Sequence, residues 1–133
     1  MLAFQAGELV SHAAWVTRWL QVGIDENAPL LRTAYVEGVA SAPHQQGKGY
    51  ASATMRYLAT QVQGFDLAAL SPSDPAFYAR LGWELWLGPL FIRTGQTLLP
   101  TADDQVMILR LSHTPPLDLT QPLSAEWRPG ELW

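Results

Sequence analysis

Apolar positions along the chain change period, and the changes mark out the elements. Met1 to Phe4 and Leu9 to Ile24 are apolar arms around Gln5-Ala6-Gly7, which predicts a hairpin turning at Gly7. The second arm is rich in Ala, Val, Trp and Leu, and a regular strand there puts Trp15 and Trp19 on one face. Asp25 to Pro29 is a polar turn, and Leu30 to Ser41 is the next strand, so the opening half reads as an antiparallel meander. Alternation then puts Tyr35, Glu37, Val39 and Ser41 on one face. Gly38 interrupts that run, as a bulge, a close backbone approach or a packing glycine. Pro43 ends the strand, because proline cannot donate to a ladder.

Beyond Gly47 the period becomes helical. Ala51, Met55, Leu58 and Val62 step by four, three and four, which predicts an amphipathic helix over 47–62 with Gly64 as its C-cap. Phe65 to Leu70 is a strand, and strand–helix–strand implies a parallel pair. Asp74 as N-cap with Pro75 at the first helical position starts a short helix that stops at Gly82. Strands over Trp83–Trp86 and Leu90–Arg93 flank Gly88-Pro89. A loop spans 95–104, and Val106 to Leu111 is the last strand. The tail from Ser112 to Trp133 holds four of the ten prolines and reads as mostly irregular. The result is one α/β domain over residues 1–133, a mixed sheet with an antiparallel meander followed by a parallel strand–helix–strand unit.

Composition narrows the function. A net charge of -4 argues against a nucleic-acid phosphate binder and suits a cationic partner. The chain has no cysteine, which removes thiol nucleophiles, disulfides and Cys-zinc sites. His12, His44 and His113 are scattered without ligand spacing, so no metal is expected. No apolar run approaches ~18 residues and the start lacks a basic segment, so neither a membrane span nor a signal peptide is expected, and a cytoplasmic location is the default.

Two places suggest chemistry. Gln46-Gly47-Lys48-Gly49-Tyr50-Ala51 opens the first helix, where glycines let backbone N–H groups approach an anion and the helix dipole favours negative charge. A plain tight turn is the bland alternative. A P-loop fails by spacing, since Ala42 and Gly49 stand where it needs a glycine and a hydroxyl residue. A dinucleotide fingerprint fails because Ser52 replaces its third glycine and Asp66 opens the next strand instead of closing it. The second place is Glu37, an acid between Val36 and Val39 that is costly to desolvate unless partnered. Burial would suit it to serve as a general base. The alternatives are a surface carboxylate or a pair with Arg18 or Arg32.

Gln-x-x-Gly-x-Gly/Ala from Gln46 to Ala51 resembles the pyrophosphate loop of the GNAT superfamily of N-acetyltransferases. Tyr35-Val-Glu-Gly-Val-Ala40, Phe77-Tyr-Ala-Arg-Leu-Gly-Trp83 and Trp127-Arg-Pro-Gly-Glu-Leu-Trp133 together resemble its aminoglycoside 2'-N-acetyltransferases, from about residue 2 onward. The resemblance implies acetyl-CoA as cofactor, held by Gln46, Gly47, Lys48, Gly49, Tyr50 and Ala51. Val39 and Ser41 would pair with the pantetheine arm beside a bulge at Gly38, and main chain near Val39 would steady the thioester oxygen. It makes Glu37 the base and Tyr78 the acid that protonates the departing thiolate; a core aromatic is the plain alternative for Tyr78. It also gathers Gly38, Ser71, an acid of the Asp103-Asp104 pair, Glu131 and the Trp133 carboxylate around an amino-sugar, a role in antibiotic resistance. Plain packing is the alternative for the tryptophans.

Superfamily members normally carry a strand and two helices ahead of the first hairpin seen here. The resemblance therefore implies a short N-terminus, an incomplete acceptor wall and exposed apolar sheet that a homodimer or other homo-oligomer would cover. Three functions follow as expectations. They are acetylation of an aminoglycoside or similar amine, acetylation of another small amine or peptide N-terminus, and a non-catalytic acyl-CoA-binding module.

Overall fold

Two long strands form the spine, β2 (Glu8–Val22) and β3 (Leu30–Ser41), after a short β1 (Leu2–Gln5). The computed structural model describes residues 2–5, 8–41 and 49–133, with side chains over 13–37 and from 49 onward. Helix α1 (Tyr50–Gln61) leads to β4 (Leu67–Leu70), and α2 (Pro75–Ala79) to β5 (Glu84–Leu85). Then come β6 (Leu90–Thr94), β7 (Thr97–Pro100), β8 (Met107–Arg110) and β9 (Leu123–Glu126). They form one sheet in the order β5-β8-β4-β3-β2-β9-β6-β7, with β1 also on β2. The expected meander is present, and β3 and β4 are parallel as strand–helix–strand implied.

Strand alternation sorts the side chains onto two cores. Leu31 and Tyr35 of β3, with Leu67 and Ala69 of β4, join Trp133, Leu119 and Leu132 of the tail on one face. Ala34, Val36, Ala68 and Leu70 point the other way, onto Met55, Leu58 and Val62 of the expected α1 stripe. Asp74 caps α2 as predicted, its Oδ1 accepting from the Phe77 N–H at 3.4 Å.

The tail departs from its irregular reading. Leu123–Glu126 forms β9, parallel to β6 and antiparallel to β2. The loop expected over 95–104 contains β7, paired with β6 around a left-handed Gly95. Gly64 is not a left-handed cap; α1 ends at Gln61 with Val62 as its C-cap, and the Gln63 side chain donates to the Ala59 carbonyl.

Candidate active site

The parallel pairing of β3 and β4 runs from Thr33–Leu67 to Val36–Leu70 and stops there, while β3 continues to Ser41. Opposite, Ala14 of β2 faces Glu37 and His12 faces Ala40, so Gly38 and Val39 together stand against Ala13. One extra residue in β3 is a bulge, as Gly38 suggested. A strand that leaves its partner in this way offers main-chain N–H and C=O groups to an extended ligand. At the start of α1, Gly49 is left-handed at φ 79° and serves as N-cap, with its carbonyl accepting from Ala53. This edge, unpaired beyond Val36 among the described residues, and the glycine-capped helix start fit a pantetheine arm and a pyrophosphate. Gly7, Pro43, Gln46, Gly47 and Lys48 lie outside the described residues. For Gly38, Val39 and Ser41 only the main chain is described.

Just before the bulge, Glu37 opens into a pocket of about 270 Å³ lined by Tyr35, Val36, Ser71, Glu131 and Trp133. Strand β3 supplies Glu37, the turn after β4 supplies Ser71, and the tail supplies Glu131 and Trp133. Two arginines hold that tail in place. Arg18 donates Nε to Glu126 Oε1 at 2.7 Å, Nη1 to the Leu132 carbonyl at 2.5 Å and Nη2 to the Glu126 carbonyl at 2.5 Å. Arg128 donates Nη1 to Glu37 Oε1 at 2.6 Å and Nε to the Glu131 carbonyl at 2.5 Å. Their guanidinium carbons lie 5.1 and 5.3 Å from the Tyr35 ring centroid, within cation–π range. The Trp133 indole N–H donates to Thr101 Oγ1 at 2.9 Å, and its ring lies 6.5 Å from Tyr35.

Four site residues of the sequence reading therefore converge: Glu37, Ser71, Glu131 and Trp133. Others do not. Asp103 and Asp104 are exposed in a turn closed by the Asp104 N–H on the Thr101 carbonyl, and neither lines the Glu37 pocket. Asp104 lines a separate pocket with Trp86, Leu87 and Thr101 instead. Nor is Glu37 desolvated, since its side chain is 42% exposed and its partner is Arg128 rather than Arg18 or Arg32. Glu126 takes Arg18, and Arg32 lies 4.0 Å from the Phe65 ring centroid.

Tyr78 is buried in the other core, edge-on to Phe77 and Trp83. Burial raises its pKa above the usual phenol value, and Asp74 adds to this, so the hydroxyl stays protonated. It does not line the Glu37 pocket. Arg18, Arg128 and Tyr35 escaped the sequence reading as site residues. Tyr35 had a usable signal, because alternation puts it on the face of Glu37. Among the described residues, no group of three or more His, Asp or Glu side chains is placed to hold a metal ion. No helix there is long and apolar enough to cross a membrane.

A family model of the acetyltransferase (GNAT) domain matches residues 1–86. An aminoglycoside 2'-N-acetyltransferase of Mycolicibacterium fortuitum is 35% identical over 134 residues, covering 96% of this chain and 67% of that protein. The Escherichia coli GNAT family N-acetyltransferase YhbS, solved in complex with CoA, has a TM-score of 0.62 at 18% identity, covering 92% of this chain and 64% of that one. A GNAT family acetyltransferase of Brucella melitensis, solved with acetyl-CoA, has a TM-score of 0.57 at 18% identity, covering 92% and 62%. This chain thus spans 62–67% of the length of these three proteins. It belongs to the GNAT acetyltransferase superfamily.

Proposed function

We propose that the chain is an acetyl-CoA-dependent N-acetyltransferase that acts directly on a cationic small-molecule amine in a ternary complex. By likeness to the Mycolicibacterium fortuitum relative, the amine is an aminoglycoside 2'-amine; acetylation of such a compound would serve antibiotic resistance. One juxtaposition carries the reading: Glu37 opens into a pocket with Ser71, Glu131 and Trp133 where β3 parts from β4. Apolar side chains left exposed on β2, Val16 and Trp19, support a homo-oligomer. A cytoplasmic location belongs to the same proposal.

Acetyl-CoA, when bound, supplies the thioester carbonyl carbon that the amine attacks. Gln46 to Ala51 would hold its pyrophosphate, and the main chain of Val39 and Ser41 would hold its pantetheine arm, with Val39 steadying the thioester oxygen. Glu37 takes one proton from the acceptor ammonium, which frees the nitrogen lone pair. As the C–N bond forms and the C–S bond breaks, Tyr78 gives its phenolic proton to the departing sulfur and is reprotonated from solvent. The nitrogen loses its second proton to solvent, and Glu37 then passes its own captured proton to solvent as well; set against the one that reprotonates Tyr78, one proton is released overall. Gly38, Ser71, Glu131 and the Trp133 face orient the acceptor.

The test is release of free thiol from acetyl-CoA against a panel of amines that includes tobramycin. Turnover is expected, with Glu37→Gln about 100- to 10,000-fold slower. Binding of acetyl-CoA with no turnover of any amine would leave the acyl-CoA-binding module as the function.

A further inference from the structure

We infer that Arg128 is the residue that aims the base, a positioning residue that acts on the acceptor through Glu37; the inference rests on the role proposed above for Glu37. Two of its nitrogens go to two different anchors. Nη1 holds Glu37 Oε1 at 2.6 Å and Nε holds the Glu131 carbonyl at 2.5 Å. A guanidinium is planar and rigid, so these bonds fix the β3 carboxylate relative to the tail segment that builds the opposite wall of the pocket. The Tyr35 ring, 5.3 Å away, backs the guanidinium on a third side.

Glu37 needs such a restraint. Its side chain is 42% exposed, and no other described residue bonds it. Released into water, it would sample several rotamers. With Oε1 taken, Oε2 accepts from no described residue and is the oxygen left for an acceptor ammonium. Arg128 also places a positive charge beside that ammonium, which works against binding. It therefore serves geometry rather than affinity, and this makes the two roles separable.

Steady-state kinetics on the amine that the unmodified chain turns over fastest, with tobramycin as the aminoglycoside arm, tests the inference. Arg128→Lys keeps the charge but cannot reach both anchors, and should lower kcat about 100-fold, the scale of an ångström-sized misplacement. KM for the amine should hold. Arg128→Gln should lower kcat similarly and leave KM equal or lower, since one positive charge leaves the pocket. In a Glu37→Gln background, Arg128→Lys should cost nothing further, because a residue acting through Glu37 has nothing left to act on. Melting temperatures should fall only slightly, since Arg18 still anchors the tail, and acetyl-CoA binding should match that of the unmodified chain. A tail that merely comes loose would instead raise KM, lower kcat and lower the melting temperature together, in both backgrounds, and that result overturns the inference. If Glu37→Gln is nearly inactive while Arg128→Lys is fully active, only the role of Arg128 falls. If Glu37→Gln is fully active, or no amine is turned over, the proposed function falls and this inference with it.

Discussion

Arg18 and Glu126 form an ion pair in which only the carboxylate meets water, with side chains 2% and 38% exposed. All three guanidinium nitrogens are used, on the Glu126 side chain, the Glu126 carbonyl and the Leu132 carbonyl. The second Glu126 oxygen accepts the Trp19 N–H at 2.8 Å. Direct strand pairing of β2 with β9 involves only Gln21 and Val22; the Gly23 N–H on the Pro122 carbonyl and Arg93, which bridges the Trp19 carbonyl and Ser124 Oγ, add to it, and this cluster carries a large part of the rest of the attachment. Arg18→Ala would strip donors from one carboxylate and two carbonyls and leave a void beside Tyr35 and Trp133. Urea unfolding should show a loss of about 3 kcal/mol, the lower end for breaking a buried pair. A loss under about 1 kcal/mol would mean that the tail is held elsewhere.

Tyr35 poses the opposite case. Its hydroxyl is buried and has no hydrogen-bond partner among the described residues. Burial pushes its pKa above the ordinary phenol value of 10.0, against the pull of Arg18 and Arg128. A raised phenol pKa means that the unfolded chain ionises first as pH rises. The resulting stability is complete below the unfolded value and is lost as pH climbs past it. Tyr35→Phe removes a polar atom that bonds no described residue, so at neutral pH it should leave stability unchanged or raise it by up to about 1 kcal/mol. Above pH 10 the variant should lose less stability than the unmodified chain. Denaturant titrations at neutral and alkaline pH measure both effects, and a variant clearly less stable at neutral pH would reveal a partner for the hydroxyl.

At Gly88 two stretches of backbone nearly touch. A Cβ there would stand 2.0 Å from the Gln121 carbonyl oxygen and 2.7 Å from that of Thr120. These are main-chain atoms, and the approach is locked by the Leu87 and Gly88 N–H groups on the Leu119 carbonyl. Gly88→Ala should therefore cost about 3 kcal/mol, the upper range for overpacking. Gly64→Ala is the control, since nothing lies within 4 Å of its Cβ position and its φ is not left-handed. That variant should be neutral or stabilise by up to about 1 kcal/mol. Thermal melts of the pair should differ widely, and equal melts would mean that the Gly88 crossing can open.

Local signals were the legible ones. Asp74-Pro75 starts a helix through atoms two or three residues away, and Gly38 kinks its own strand, so both could be read from short stretches. Alternation placed Tyr35 and Glu37 on one face for the same reason. Strand β9 could not be found this way. Leu123-Ser-Ala-Glu126 is short, follows a proline and has its Ser124 buried, and it is a strand because distant β6 and β2 supply partners. The Arg128–Glu37 bond joins residues 91 positions apart, and no spacing rule reaches that far. The Asp103-Asp104 pair entered through the resemblance rather than through any local pattern, and in this fold both acids are exposed and neither lines the Glu37 pocket.

This division among the acids gives the last prediction. Of the four acidic side chains first associated with the acceptor, Glu37 and Glu131 line the pocket, and Arg128 already offsets Glu37. Glu131 is then the main attraction for a cationic acceptor among those side chains. It is exposed, so the contact is worth only about 0.2–1 kcal/mol, up to roughly fivefold in affinity. Glu131→Gln should raise KM for tobramycin by that factor, raise it less for a singly charged amine, and lose the effect at high salt, where the Debye length shrinks. Asp104→Asn should do less, because Asp104 acts only at a distance, where its charge is still felt at Tyr35. Asp103→Asn should do nothing. KM measured for both amines at low and high salt orders the three variants. The reverse order, with Asp103 or Asp104 dominant, would place the loop over 101–105 against the bound acceptor and leave Glu131 as part of the tail's packing.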